Sequence, residues 1–265
     1  MGKLLPVVFI FFSLITLPKA SASSDSVSFN FTNFDPIDNR VLVEVEATKV
    51  NGAIQLTNNE VDVNLTHSTG RVIYYQPIHL WDKDSGNMAD FTTEFTFTIK
   101  SRRDASYADG STFFLAPNGS QMPVRSDGRF LALVNSTSYD RSIVFVAVEF
   151  DTFYDHSTNP WDPPCEHIGI DINTVNSSFN VCVEWWTYNI LYGRPLHAQI
   201  TFDSRTQNLS VLLMDASDPS SSPHSSRLLD QVSLNRTLPE WVTFGFTASS
   251  GELQEMHTRV MAVFL

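Results

Sequence analysis

The chain has 265 residues, of which 42% are hydrophobic and 17% are charged, and this is enough for one large domain with a substantial core. Its formal net charge is -12 at pH 7. Such a charge argues against nucleic acids and anionic membranes as partners, because both require a basic surface on the protein.

Residues 1–22 have the pattern of a secretory signal peptide. Lys3 gives the positive start, Leu4–Leu17 is an apolar run too short to span a bilayer, and Ala20–Ala22 is a small-residue cleavage site. A membrane anchor is the alternative, but no later apolar run is long enough to span a membrane. We therefore expect a single domain over residues 23–265 that is secreted to the cell exterior or routed to a vacuole.

N-x-S/T sequons fit this route, because they mark surface acceptors for N-linked glycans in secreted proteins. They lie at Asn30, Asn64, Asn118, Asn135, Asn176, Asn208 and Asn235. Asn159 is followed by proline and is not a sequon. The mature protein is therefore expected to be a glycoprotein in which some of these sites are occupied.

Short alternating segments follow the signal peptide. They include Ser26–Phe34, Ala53–Asn58, Gly70–Tyr75 and Phe91–Ile99, with turn residues between them. Phenylalanines at every second position are predicted to be core side chains. We find no amphipathic helix and no internal repeat. Strands spaced roughly 8–12 residues apart predict an all-β sandwich.

The stretch Val146–Asp171 concentrates carboxylates. It begins as a strand in which Glu149 and Asp151 share one face, since alternate residues of a strand point the same way. Two carboxylates among apolar residues repel each other and are costly to desolvate unless a cation lies between them. Further candidate ligands follow in a short loop: Asp155, Asp162 and His167. This pattern predicts a metal site, with a solvated acidic loop as the alternative.

The ligand types indicate which metals are expected. Carboxylates with carbonyl oxygens suit Ca²⁺, and carboxylates with one imidazole suit Mn²⁺ better than Zn²⁺, which prefers more His or Cys ligands. The two cysteines, Cys165 and Cys182, can pair in an oxidising compartment. Their pairing stays open, because a turn near Asn176 would place Asp171 opposite Cys182 instead. A thiolate is also a poor ligand for Ca²⁺.

The segments VAVEFDTF, WDPP and HIGIDINTV resemble the metal loop of the legume lectins. The resemblance extends through SFNFTNF, IQLTN, GRVIYYQPIHLWD, FTTEFTFTI and LPEWVTFGFTASSG, and so covers nearly the whole mature chain. It implies a jelly roll of two large antiparallel sheets and a small third sheet, assembled as a homodimer or homotetramer. It also implies paired Mn²⁺ and Ca²⁺ ions beside a shallow sugar pocket.

The resemblance assigns four side chains to the transition ion, namely Glu149, Asp151, Asp162 and His167. Ca²⁺ would share Asp151 and Asp162 and take the carbonyl oxygen of Phe153. Its last ligand is an Asn in the family, four residues after the first Asp. Asp155 occupies that position here, although Asn159 in the longer loop is a second candidate.

A sugar pocket is implied by four further positions. Asp109, after an expected cis peptide from Ala108, would accept hydrogen bonds from two sugar hydroxyls, although an Asp before Gly is also common in turns. The Phe153 ring would lie under the sugar. The backbone N–H groups of Glu252 and Leu253 would reach it from a fourth loop.

Two positions depart from the family pattern. A carboxylate at Asp155 cannot donate the hydrogen bond that the family Asn gives to the sugar, unless Asn159 takes that role. Arg129 stands where the family has a glycine before a run like Phe130–Val134. Its side chain could block the pocket, contact a larger or acidic glycan, or turn to solvent, and a one-residue slip would use Gly128 instead.

We therefore predict a secreted, non-catalytic lectin that binds glycans or glycoproteins. Its ions would preorganise the pocket. The alternative is a lectin-like protein that has lost sugar binding and serves in plant defence, storage or enzyme inhibition. A glycosidase is a third possibility, but it needs a second carboxylate across the cleft, and the next position on the face of Glu149 and Asp151 is Phe153. His257, near the last strand, is predicted to be structural.

Overall fold

The computed structural model describes residues 27–59, 65–102, 106–136, 143–154, 160–217 and 224–264, without the side chains of residues 259–264. The signal peptide, Asn64, Asp155 and Asn159 lie outside these residues.

The strands form two eight-stranded antiparallel sheets. The back sheet has the order β14 (Ser225–Gln231), β13 (Asn208–Asp215), β12 (Leu196–Asp203), β7 (Phe91–Ser101), β16 (Glu255–Phe264), β4 (Ala53–Gln55) and β3 (Thr48–Val50), and β1 (Phe29–Phe31) also pairs with β16. The front sheet has the order β11 (Phe179–Cys182), β10 (His167–Ile172), β9 (Val146–Asp151), β8 (Gly110–Pro117), β15 (Trp241–Ser249), β5 (Thr69–Tyr74) and β2 (Val41–Val45), and β6 (Ile78–His79) also pairs with β15.

The predicted sandwich is confirmed, with one difference in its sheets. Within the described ranges the short strands β1, β3, β4 and β6 pair onto the two large sheets. The small third sheet that the resemblance implies is therefore absent from the strand pairings of these residues.

Aromatic side chains fill the space between the sheets, as the alternation of β7 predicts. Phe95 and Phe97 of β7 are fully buried. The Phe95 ring centroid lies 4.8 Å from that of Phe246 on the front sheet, and the Phe97 centroid lies 5.0 Å from that of Phe150. These contacts join the two sheets through one core.

Among the described residues two short α-helices interrupt the strands, α1 (Trp186–Tyr192) and α2 (Leu234–Thr237). Their length explains why no helical periodicity is apparent in the sequence, since α1 spans only 7 residues. α1 contributes Trp186 and Ile190 to the core and ends at Gly193, whose φ of 62° suits glycine. Neither helix of the described residues is long and apolar enough to cross a membrane.

The other face of the front sheet carries a second apolar cluster beneath the segment between β8 and β9. Phe114, Leu133 and Phe145 belong to it. This covering explains why all six residues of β9 are buried. Val148 and Phe150 enter the main core, whereas Glu149 and Asp151 lie on the opposite, covered face.

Cys165 and Cys182 form a disulfide with a Cα–Cα distance of 5.7 Å. The expected register, with Asp171 opposite Cys182, is wrong. β10 and β11 pair so that His167 faces Cys182 and Ile170 faces Phe179. The connecting turn is therefore centred before Asn176, and Cys165 comes within reach of Cys182.

Candidate functional site

Three predicted metal ligands converge on the covered face of the front sheet. Glu149 and Asp151 project from β9, and His167 projects from β10 directly opposite Asp151. All three are buried, and their ligand atoms lie within 4.8 Å of one another. We refer to Glu149, Asp151 and His167 as the acid cluster.

Gly169 makes room for the acid cluster. It stands opposite Glu149 in the β9–β10 pair. A Cβ atom at this position would lie 2.1 Å from Glu149 Oε1 and 2.3 Å from Ser177 Oγ. The Ser177 hydroxyl donates to the same Glu149 oxygen. Any side chain at residue 169 would therefore displace the Glu149 carboxylate.

The orientation of His167 suits a metal ligand. Its Nδ1 lies 3.2 Å from the Cys165 carbonyl oxygen, which can only accept, so Nδ1 carries a proton. Nε2 then faces Glu149 Oε1 at 3.1 Å. In the neutral ring the lone pair of Nε2 faces the Glu149 carboxylate oxygen, and the two repel each other. A cation bound by both atoms would remove this repulsion.

Burial strongly affects the acids of this region. It raises the pKa of Glu149 to about 8, and the nearby Asp162 carboxylate adds to this effect. Burial also raises the pKa of Asp151 and of Asp171 well above their usual range. These carboxyl groups are therefore mutually incompatible as anions unless positive charge is supplied, and a divalent ion fits this donor set.

The remaining predicted ligands are placed only in part. Asp162 is buried and acts electrostatically on Glu149 and Asp151, but it lies outside the acid cluster as defined by mutual distances. Phe153 is partly buried, and its N–H donates to Asp151 Oδ1 at 2.7 Å. The predicted positions Asp155 and Asn159 fall outside the described residues.

Asp109 lies next to the acid cluster. A cis peptide joins Ala108 to Asp109, as expected, and Gly110 pairs with Asp151. The Thr152 N–H donates to the Asp109 carbonyl oxygen at 3.1 Å, and the Asp109 N–H donates to Ser249 O at 3.2 Å. The Asp109 backbone is thus hydrogen-bonded both to the residue after Asp151 and to the end of β15.

Two glycines face the Asp109 carboxylate. A Cβ atom at Gly251 would lie 3.0 Å from Asp109 Oδ2, and one at Gly128 would lie 3.8 Å from the same oxygen. The Gly128 N–H donates to Ser250 O at 3.2 Å, and Ser249 Oγ donates to Gly128 O at 2.6 Å. We refer to Asp109, Gly128 and Gly251 as the Asp109 pocket.

The Arg129 side chain contacts the ring of the next residue, Phe130. The Arg129 side chain is exposed, and its guanidinium carbon lies 5.2 Å from the Phe130 ring centroid. Of the two positions that the sequence left open, Gly128 is the one that faces Asp109. The Glu252 side chain is exposed beside Gly251, and Leu253 is partly buried.

The Asp109 carboxylate is nearly enclosed. Burial raises its pKa to about 7, the charge of Glu255 adds to the rise, and a hydrogen bond from the Gly251 N–H opposes it. Oδ2 is buried and has no hydrogen-bond partner in the described part of the chain. An unsatisfied buried acceptor costs about 1–3 kcal/mol, so this oxygen favours a ligand that brings a donor.

A buried polar chain supports both sites. His257 Nε2 lies 2.8 Å from Glu255 Oε1, and His257 Nδ1 lies 3.0 Å from Thr57 Oγ1. Thr152 Oγ1 donates to both Glu255 oxygens. Since His257 and Glu255 are buried in this chain, His257 has the structural setting that the sequence predicts.

Sequence reasoning missed Gly169, Asp171, Ser177 and Gly251. The alternation of HIGID contains a signal for the first two, because residues 167, 169 and 171 share one face of β10. Ser177 and Gly251 reach their sites through turns, and no local pattern marks them.

Comparisons with known proteins agree on one family. The legume lectin domain model matches residues 26–262. The chain is 38% identical over 237 residues to Anti-H(O) lectin 1 of Cytisophyllum sessilifolium, covering 89% of this chain and 93% of that protein. It is 36% identical over 257 residues to the bark leucoagglutinin of Maackia amurensis, covering 97% and 86%.

Solved structures give the same result. Lectin UEA-II complexed with galactose has a TM-score of 0.81 and 34% identity, with 91% of this chain and 98% of that chain covered. The metal-free form of lectin I-B4 from Griffonia simplicifolia has a TM-score of 0.81 and 33% identity, with coverages of 91% and 99%.

Proposed function

The chain belongs to the legume lectin family, and we propose that it binds glycans or glycoproteins in the Asp109 pocket. Legume lectins are non-catalytic carbohydrate-binding proteins, and this protein is accordingly not an enzyme. The observation that carries the proposal is the Asp109 carboxylate, which keeps a buried, unsatisfied oxygen behind two glycines. We expect a sugar hydroxyl to donate to this carboxylate, which lies beside two positions that carry no Cβ atom.

Each part of the pocket has a role in this proposal. Asp109 accepts hydrogen bonds from sugar hydroxyls, and the backbone of Gly128 approaches the sugar closely. The ring of Phe153 packs under the C–H face, and the backbone N–H groups of Glu252 and Leu253 donate from the last loop. The glycans of the relatives support the class of ligand, since the similar UEA-II structure holds galactose.

We further propose that Ca²⁺ and Mn²⁺ occupy the acidic region. Glu149, Asp151, Asp162 and His167 would hold Mn²⁺, and Asp151, Asp162, the Phe153 carbonyl and Asp155 or Asn159 would hold Ca²⁺. The bound ions would supply positive charge to buried carboxylates and fix the segment that follows Asp151. The hydrogen bond from Thr152 to Asp109 then keeps the Asp109 pocket in register with that segment.

The alternative, a lectin-like protein without sugar binding, is not favoured. Its main support was Arg129, which the sequence places next to the pocket. The exposed Arg129 side chain lies over Phe130, and Gly128 is the residue against Asp109. Asp155 is the other feature in favour of this alternative, because it lacks the amide donor of the family Asn.

Secretion and assembly belong to the proposal as well. We expect cleavage of residues 1–22, export or vacuolar delivery, and association into a homodimer or homotetramer. Asn30, Asn118 and Asn176 are exposed in the described residues and are the sequons best placed to carry glycan. The Asn135 side-chain amide donates to the Val124 carbonyl oxygen, which makes that sequon less accessible to modification.

A glycan array tests the proposed function. Protein loaded with Ca²⁺ and Mn²⁺ should bind a defined set of glycans, and chelated protein should lose that signal. A blank array from protein shown to be folded and metal-loaded would favour the alternative without sugar binding. Release of reducing sugar from a polysaccharide would contradict the non-catalytic assignment.

A further inference from the structure

His67 lies at the rim of the Asp109 pocket and contacts two of its loops. Its Nδ1 lies 2.6 Å from Asp127 Oδ2, and its Nε2 lies 3.4 Å from Glu252 Oε1. Its backbone N–H donates to the Gly251 carbonyl oxygen at 2.9 Å. The imidazole is about half exposed, with 53% of the side chain accessible. His67 therefore connects the loop before β5 to the loop that contains Gly128 and to the loop that contains Gly251.

The two partners of His67 adjoin the two glycines of the pocket. Asp127 directly precedes Gly128, and Glu252 directly follows Gly251. Their separation is set partly by backbone hydrogen bonds, such as Gly128 N–H to Ser250 O. These bonds do not titrate, whereas the imidazole contacts do. The contacts that His67 makes at the rim of the pocket therefore change with pH.

We propose that His67 is a positioning residue of the Asp109 pocket, whose imidazolium form bridges Asp127 and Glu252 and strengthens glycan binding. The inference rests on the proposed function for its effect on affinity. Nothing in the family resemblance assigns a role to this position.

The chemistry of imidazole explains the dependence on charge. The imidazolium has an N–H on each ring nitrogen and can face both carboxylates as a donor. Neutral imidazole has one N–H, so its other nitrogen presents a lone pair to the second carboxylate. Deprotonation thus converts one attractive contact into a repulsive one, and the most exposed partner, Glu252, is the one expected to separate.

The surrounding charges set the pH range. The hydrogen bond to Asp127 raises the pKa of His67 above its ordinary 6.5, and Glu252 contributes in the same direction. A raised pKa means that the bridge is complete at and below that ordinary value, and is lost as pH rises through the higher pKa of the folded protein.

Asp109 faces the same space and acts in the opposite sense. Its pKa is raised to about 7, so it becomes a better acceptor as pH rises. The profile of the wild type therefore combines a rising and a falling contribution. Asp109 is present in both proteins, so most of its own titration cancels in the ratio of wild type to His67→Gln. What remains is the full effect of His67, including the influence of its charge on the pKa of Asp109.

The experiment measures affinity for galactose and mannose by calorimetry between about pH 5.5 and pH 8.5, in protein loaded with Ca²⁺ and Mn²⁺. We expect His67→Gln to bind about three- to fivefold more weakly than wild type at the acidic end, in line with exposed ion pairs, and equally at the alkaline end. His224→Gln replaces another exposed histidine and should follow wild type throughout. In an Asp127→Asn background, the ratio of affinities with and without His67→Gln should no longer depend on pH.

A ratio that stays constant across the pH range would overturn the inference, because a merely structural side chain would act equally at every pH. An NMR titration of the histidines provides a measurement independent of sugar. A pKa of His67 no higher than that of His224 in the same sample would also overturn it. If wild type binds neither sugar at any pH, the proposed function fails for these ligands, and the NMR titration still decides whether the bridge exists.

Discussion

The acid cluster and the Asp109 pocket are neighbours on the front sheet that solve the burial of carboxylates differently. In the acid cluster, Glu149 and Asp151 are crowded together with an imidazole and with further acids nearby. In the pocket, Asp109 stands behind two glycines with one oxygen unsatisfied. In our proposal a resident cation completes the first arrangement, and a sugar that binds and leaves completes the second. This difference separates what the metal does from what the sugar does.

Metal removal should have the largest effect on this comparison. We expect chelation to abolish glycan binding and to lower the Tm by about 6–12 °C, because loss of a ligand present well above its Kd removes about 3 kcal/mol and each kcal/mol shifts a domain of this size by about 2–4 °C. Thermal denaturation with and without chelator measures the shift. Restoration by excess Ca²⁺ and Mn²⁺ is the control.

The chelated protein should also respond to pH in a defined direction. The pKa of Glu149 is raised to about 8, and that of Asp151 is raised well above its usual range. The stabilisation by their protonated forms is lost as pH rises from about 4 through these higher values. Metal-free protein should therefore be less stable at pH 8 than at pH 5. Equal stability at both values would contradict the burial of uncompensated carboxyl groups.

Gly169→Ala should damage the acid cluster while leaving the pocket residues intact. The added methyl would meet Glu149 Oε1 at 2.1 Å, so we expect a loss of about 1–3 kcal/mol in the free energy of unfolding and weaker metal binding. Denaturant unfolding and metal titration measure the two effects. Gly86→Ala is the control for metal binding, since a Cβ there meets nothing within 4 Å. Its positive φ makes alanine destabilising by itself, so the control should lose stability and keep its metal affinity. Unchanged metal affinity in Gly169→Ala would argue that Glu149 is not a ligand.

Asp109→Asn should weaken the Asp109 pocket while leaving the acid cluster intact. We expect glycan affinity to fall by about a hundredfold, because hydrogen bonds to a charged acceptor contribute about 1.5–3 kcal/mol each. Stability should be kept or raised above pH 7, since the pKa of Asp109 is raised to about 7 and its buried charge is removed by the substitution. Calorimetric sugar titration and thermal denaturation at two pH values test both parts. A stable variant with full affinity would refute the role of Asp109.

Arg129→Gly should have the smallest effect. Because the guanidinium lies over Phe130 and Gly128 already faces Asp109, we expect glycan affinity to change by less than about twofold. This is the range of a surface contact away from the ligand. A tenfold gain in glycan affinity would show that the Arg129 side chain obstructs the pocket.

Local alternation was sufficient to predict some of the site and not the rest. It placed Glu149 and Asp151 on one face, because strand periodicity is a property of neighbouring residues. It could not choose between Gly128 and Arg129, because that choice depends on contacts with Asp109 and Gly251, which are distant in the chain. The pairing of Cys165 and Cys182 stayed open at the level of sequence for a similar reason. A shift in the centre of one turn moves every partner along the strand.

The fold class could be predicted from the sequence because its main signal is local. Buried and more exposed residues alternate over the whole of β7, so the two-residue period of a strand recurs several times within one short segment. The order of strands in each sheet depends on contacts between segments that are distant in the chain. For example, β16 lies between β7 and β4. Residue patterns therefore predict a sandwich, and they do not by themselves give its connectivity.

The buried polar chain of Thr57, His257, Glu255 and Thr152 has a consequence for folding. Its Thr57–His257 contact joins residues 200 positions apart, and its Thr152–Glu255 contact joins residues 103 positions apart. Contacts of such sequence separation form late, because the entropy of closing long loops must be met first. The Asp109 pocket rests on Thr152 and cannot be complete before the last strand has docked. Sugar binding is therefore expected only from molecules in which the last strand is in place.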